Sequence, residues 1–137
     1  MLERNKVSPT EARQVLVVDD NRDGAKTMAM LLKIAGHQVE VAFTGLEALQ
    51  IASKQKPSVV LLDLAMPGMD GYKVAQCLRE RPETKDALII AVSGYGLADH
   101  QERSKAAGIN LHLLKPVKNE QILEILRSIP STSAVAP

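Results

Sequence analysis

The sequence predicts an α/β fold built on one doubly wound parallel sheet, and three observations carry that expectation. Short runs of consecutive aliphatic residues, the kind buried on both faces of a sheet, recur along the chain. Each alternates with a stretch whose apolar residues fall at helical spacing. Several of the aliphatic runs stop at an acid, a hydroxyl or a lysine, as strands do on reaching a polar rim. Five strands alternating with five helices need crossover connections, which place helices on both faces of a parallel sheet.

Gln14 to Val18 holds the run Val15-Leu16-Val17-Val18 and stops at Asp19-Asp20, giving the first strand. From Ala25 the positions Ala25, Met28, Ala29, Leu32 and Ala35 mark a helix, and Gly36 supplies its stop. Gln38 to Phe43 reads as a short strand. Thr44 and Glu47 then form a capping-box pattern ahead of Ala48, Ile51 and Ala52 on one helical face, and Pro57 closes that helix. Val59-Val60-Leu61-Leu62 runs into Asp63, and the turn-rich segment Met66-Pro67-Gly68-Met69-Asp70-Gly71 follows. The third helix runs from about Tyr72 to Arg81 before Pro82. Leu88 to Val92 is the next buried strand, ending at Ser93-Gly94, and the fourth helix ends at Gly108. Leu111 to Leu114 is a fifth strand entering Lys115-Pro116. Ile122, Ile125, Leu126 and Ile129 then stripe the last helix. The domain spans 13–129, with a flexible extension over 1–12 and a disordered, small-residue tail over 130–137.

Composition narrows the function. At 137 residues and 45% apolar content the chain can bury a core without metals or disulfides. Seventeen basic against sixteen acidic side chains leave no field to attract nucleic acid or an anionic membrane. Trp is absent and aromatics make up 2%, which removes the stacking platforms of single-strand binders. No run approaches a membrane span or a signal peptide, and the lone Cys77 reads as a buried thiol, so the expected setting is cytoplasmic.

The chemistry-bearing residues all follow strands: Asp19 and Asp20 the first, Asp63 the third, Ser93 the fourth, Lys115 the fifth. In the flavodoxin-like order 2-1-3-4-5, strands one and three flank the topological switch point, where open α/β sheets hold ligands. The three acids should converge there. Two unit charges about 4 Å apart cost about 4 kcal/mol at an effective dielectric near 20, which favours a raised pKa or a bound cation. An all-oxygen pocket without His or Cys suits Mg²⁺ better than zinc. Lys115, a point charge on a flexible stem, can pair with Asp63.

These residues resemble a known family. VLVVDDN at 15–21, LLDLAMPGMDG at 61–71, AVSG at 91–94 and LLKPV at 113–117 are similar, in order and spacing, to the motifs of response-regulator receiver domains of two-component signalling. The likeness covers roughly 13 to 129 and is strongest to receivers of hybrid histidine kinases and single-domain response regulators. It implies that Asp63 accepts a phosphoryl group from a histidine kinase or phosphotransfer protein. Asp20, Asp63 and the backbone carbonyl of Ala65 would hold Mg²⁺, with Asp19 acting through a metal-bound water. Ser93 and Lys115 would contact phosphoryl oxygens, and Lys115-Pro116 would be a cis peptide. Phosphorylation would draw Ser93 inward and repack the face of helix four, strand five and helix five. That face would meet a downstream protein or a second copy of the chain, with no nucleic acid and no membrane as partner.

The sequence departs from the family pattern at three places. Ala65, two after the acceptor, offers attacking water neither obstruction nor a hydrogen bond. Gly94 follows the switch hydroxyl where alanine is common. His112 stands three residues before Lys115, where many receivers carry a switch tyrosine or phenylalanine. It is the counterpart switch position here, with a solvent-facing histidine as the alternative. His37 and His100 read as exposed, and Tyr72 and Tyr95 as packing residues or part of the site rim. Two other functions are weighed. The complete acid, hydroxyl and lysine set argues against a docking module that is never phosphorylated. A phosphohydrolase would need an acid/base beside Asp63, where Ala65 supplies none. The chain is expected to act on itself alone rather than as an enzyme on separate substrates.

Overall fold

The aliphatic runs and helical stretches become five strands and five helices in the computed structural model, which describes residues 12–64, 66, 68, 70–94 and 101–129. In chain order these are β1 (Gln14–Val18), α1 (Arg22–Ile34), β2 (Gln38–Ala42), α2 (Gly45–Gln55), β3 (Val59–Asp63), α3 (Gly71–Arg79), β4 (Leu88–Ser93), α4 (Gln101–Ala107), β5 (Leu111–Leu114) and α5 (Asn119–Ser128). The sheet order is β2-β1-β3-β4-β5 with every pair parallel, the doubly wound topology expected from the sequence.

Strand alternation sorts the core into two layers. Leu16, Val18, Val60, Leu62, Ile89 and Ala91 pack with Ala48 and Ala52 of α2, Val74 and Leu78 of α3, and Ala107 of α4. Val15, Val17, Val59, Leu61 and Ile90 face the other way, against Ala25, Ala29 and Leu32 of α1 and Ile122 and Leu126 of α5. Every residue of β3 is buried, so Asp63, at its last position, is carried into the interior by its aliphatic neighbours.

Several boundaries differ from expectation for local reasons. α1 begins at Arg22 rather than Ala25, because the Asn21 side chain accepts the Gly24 N–H at 3.1 Å and starts the helix in a polar turn. β2 stops at Ala42: the next N–H, of Phe43, donates to Glu47 Oε1 at 2.7 Å instead of a neighbouring strand. Thr44 does cap α2, its hydroxyl accepting the Glu47 N–H at 3.1 Å. α3 ends at Arg79 rather than Arg81, since Pro82 disfavours a helical residue before it and Glu80 already closes the last turn. Gly108 ends α4 with φ +84, a left-handed conformation suited to glycine.

His37 corrects the sequence reading. It is 4% exposed rather than solvent-facing, and its Nδ1 accepts the Arg13 backbone N–H at 3.0 Å. Arg13 is equally buried, and its guanidinium donates to the Ile129 carbonyl, joining the segment before β1 to the residue after α5. Cys77 is half-buried at the edge of the α2/α3 layer. His100, Tyr95, the tail and all but Ala12 of the expected extension lie outside the described residues.

Candidate functional site

Register places the functional groups. Val18 pairs with Leu62, Asp63 with Val92 and Ser93 with Leu114, so the carboxyl ends of β1, β3, β4 and β5 form one edge. Backbone bonds extend the ladder past the strands and pin the flanking residues. Asp19 N–H donates to Ala42 O at 3.0 Å, Leu64 N–H to Val92 O at 3.1 Å and Lys115 N–H to Ser93 O at 2.8 Å.

On that edge Asp19, Asp20 and Asp63 each offer a carboxylate oxygen within 4.8 Å of the others. Asp63 is buried, Asp19 half-buried and Asp20 exposed. Lys115 Nζ lies 3.3 Å from Asp63 Oδ2, with its side chain 43% exposed. Burial pushes the Asp19 carboxyl above the ordinary value; Asp63 adds to the push, while the Asn21 N–H, 3.0 Å from Asp19 Oδ1, and Lys115 oppose it. Burial together with the neighbouring Asp63 thus outweighs the Asn21 N–H and the Lys115 ammonium at this carboxyl. An oxygen-only donor set of this kind fits a hard divalent cation such as Mg²⁺. A cleft of about 610 Å³ runs from Asp19, Asp63 and Lys115 toward Met28 and Ile122, between α1 and α5.

The rest of the edge is built around Ser93 and His112. Ser93 is 2% exposed, and its Oγ lies 3.1 Å from His112 Nε2. His112 is half-buried, and its Nδ1 lies 3.4 Å from the hydroxyl of Ser104 on α4. The ring therefore turns inward rather than facing solvent. The Lys115-Pro116 peptide bond is cis. Ala65 lies outside the described residues.

Three residues of this edge carry no role in the sequence reading. Gly71, read there as a turn residue, starts α3 against the acceptor strand: a Cβ at that position would sit 2.7 Å from Leu64 Cα and 2.8 Å from Asp63 O. Asn21 both caps α1 and donates its N–H to Asp19. Ser104 is 7% exposed on α4. Its only signal in the sequence is a hydroxyl three residues before Ala107, on the helix face that turns inward.

The sequence model of the response regulator receiver domain matches residues 15–127. The chain belongs to that family. This receiver domain is thus a module of two-component signalling. It is 27% identical over 116 residues to the polar-differentiation response regulator DivK of Brucella anthropi, spanning 85% of this chain and 94% of DivK. The chemotaxis protein CheY4 of Vibrio cholerae superposes with a TM-score of 0.81 at 30% identity, covering 85% of this receiver and 97% of CheY4. The receiver domain of the sensor histidine kinase PA1611 from Pseudomonas aeruginosa PAO1 superposes with a TM-score of 0.75 at 28% identity, covering 85% and 95% respectively. That structure carries a magnesium ion coordinated in its active site cleft. Among the described residues of this receiver, no helix is long and apolar enough to cross a membrane.

Proposed function

We propose that this receiver takes a phosphoryl group from a histidine kinase or phosphotransfer protein onto Asp63 and passes the change to a protein-binding face. The observation that carries the reading is a buried carboxylate with two further carboxylates within 4.8 Å and an ammonium at 3.3 Å. Asp20, Asp63 and the Ala65 carbonyl would hold Mg²⁺, with Asp19 acting through a metal-bound water. The magnesium of the PA1611 receiver supports that assignment. When bound, the ion supplies positive charge beside the phosphoryl oxygens.

An Asp63 carboxylate oxygen attacks the phosphorus of a phosphohistidine in line. The O–P bond forms as the P–N bond breaks, and the imidazole leaves with the electron pair. Lys115, already held at Asp63, offsets charge on one phosphoryl oxygen, and the Ser93 hydroxyl donates to another. Water later attacks the phosphorus and releases the Asp63 carboxylate. The chain thereby acts only on itself.

Ser93 and His112 are the switch pair, supported by their 3.1 Å contact. Movement of Ser93 toward the phosphoryl group changes the seat of the ring and, with it, the surface of α4, β5 and α5. Leu111 and Leu114 stand exposed there at 39% and 52%, a face for a downstream protein or a second copy. The test is intact mass after incubation with Mg²⁺ and acetyl phosphate. One phosphate-sized gain, dependent on Mg²⁺ and absent in Asp63→Ala, is expected; a gain that persists in Asp63→Ala would move the acceptor elsewhere.

A further inference from the structure

The imidazole of His112 bridges two serine hydroxyls on different elements, Ser93 at the end of β4 and Ser104 on α4. Both serines are buried. A neutral imidazole carries one ring proton, so one nitrogen donates while the other accepts. A hydroxyl also has one proton and donates in one direction at a time. The three groups therefore form a chain with two polarities. In the first, Ser93 donates to Nε2 and Nδ1–H donates to Ser104, which commits the Ser93 proton to the ring. In the second, Ser104 donates to Nδ1 and Nε2–H donates to Ser93 Oγ, which turns the Ser93 proton away from the ring.

We propose that Ser104, acting through the His112 tautomer, sets the direction in which the Ser93 hydroxyl donates and so positions it for the phosphoryl group. The proposal rests on the reading of Asp63 as phosphoacceptor and Ser93 as a donor to its phosphate. Only the second polarity lets Ser93 donate to a phosphoryl oxygen while keeping its contact with the ring. A charged phosphoryl oxygen is a stronger acceptor than a neutral imidazole nitrogen, so loading Asp63 selects the tautomer with the proton on Nε2. Coupling runs both ways: a loaded Asp63 holds Ser104 as a donor to Nδ1, and displacing α4 weakens the hold of Ser93 on the phosphoryl group. The neighbouring residue also tethers α4. The Arg103 guanidinium stacks 4.1 Å above the Tyr72 ring and lies 3.7 Å from the Asp70 carboxylate, so successive residues of α4 grip the start of α3 and the His112 ring. Ser104 is a positioning residue, since it acts through the ring rather than on the phosphoryl group.

The experiment reads the His112 tautomer by long-range ¹H–¹⁵N correlation near pH 8, where an ordinary imidazole is neutral, with and without Mg²⁺ and beryllofluoride. Beryllofluoride should shift His112 toward the form protonated on Nε2. In Ser104→Ala its apparent affinity should fall about three- to tenfold, the worth of one neutral hydrogen bond, and Ser104→Thr should restore it. The wild-type tautomer decides the matter even where Ser104→Ala fails to fold. Wild-type protein that binds beryllofluoride with an unchanged tautomer overturns the role of Ser104 and leaves the phosphoacceptor reading standing. So does Ser104→Ala binding as tightly as wild type, or Ser104→Thr failing to restore affinity. Wild-type protein with no beryllofluoride response and no Mg²⁺-dependent phosphate gain overturns both.

Discussion

Where β4 and β5 begin, Arg79 reaches from α3 and donates to the carbonyls of Gly108, Lys85 and Ala87 at 2.9, 2.8 and 2.7 Å, and to Asn110 Oδ1 at 2.6 Å. Asn110 Oδ1 also accepts the Ile89 N–H at 2.8 Å. Burial pushes the guanidinium pKa down and Asp86 pushes it back up, and arginine keeps its charge regardless. At the opposite edge of the sheet, where β1 and β3 end, the buried Asp63 carboxylate faces two further carboxylates and one half-exposed lysine. A cation among neutral acceptors forms a closed clasp that asks for nothing more. Anions gathered together form a site whose repulsion a cation relieves. Holding the strands and, in the proposed function, accepting the phosphoryl group thereby fall at opposite ends of one sheet.

Removing the clasp should have the largest effect on stability. Arg79→Ala strips three carbonyls of the guanidinium donor, leaves Asn110 with the Ile89 N–H alone, and should cost about 3 kcal/mol, read as a lower midpoint in urea. Beryllofluoride binding by the protein that remains folded should be unchanged, and a matching loss of binding would show that the two ends are not separable. Gly71→Ala pushes a methyl group against the backbone of Leu64 and Asp63 and should cost about 2 kcal/mol. Unlike the Arg79 change, it should also slow phosphorylation from acetyl phosphate.

At the charged end the sign reverses. The Asp19 carboxyl is raised in the folded state, so its contribution to stability is fully present below the ordinary value of 3.8 and is lost as pH rises through the raised value. Without metal at pH 7, Asp19→Asn should therefore melt higher than wild type, and the difference should vanish toward pH 3. The same variant should lose much of the rise in melting temperature that Mg²⁺ gives the wild type; an apo protein destabilised by the change would contradict the charge argument. Lys115→Met completes the series. A half-exposed ion pair contributes less than about 1 kcal/mol to stability. The phosphorylation rate should nevertheless drop about a hundredfold, the usual cost of removing one group that stabilises transition-state charge.

Much of this is legible in the sequence because burial on both faces leaves an unmistakable mark. Val15 to Val18 and Val59 to Leu62 have no polar residue to confuse their reading, and the acids that end them announce the rim. The polar start of α1 escapes a reading by periodicity because Arg22, Asp23 and Gly24 carry no apolar residue; only the capping bond of Asn21 marks them as helical. His37 misleads for a similar reason. A histidine beside a helix stop is ordinarily exposed, and its burial depends on the Arg13 N–H, 24 residues away in sequence. The convergence of Asp19, Asp20, Asp63 and Lys115 follows from strand order alone. The seat of His112 does not, since it depends on Ser104, and a serine in a short charged helix carries no sign of what lies across from it.

The stacking of Arg103 on Tyr72 also gives the protein a built-in optical probe. The chain has no tryptophan and two tyrosines, so its near-ultraviolet dichroism comes chiefly from few chromophores. One of them, Tyr72, is buried with a cation from α4 over its ring. Any shift of α4 relative to α3 alters the asymmetric field around that phenol. The rearrangement that the proposed switch requires would therefore be written into the tyrosine band of the unlabelled protein, where a titration can follow it by light alone.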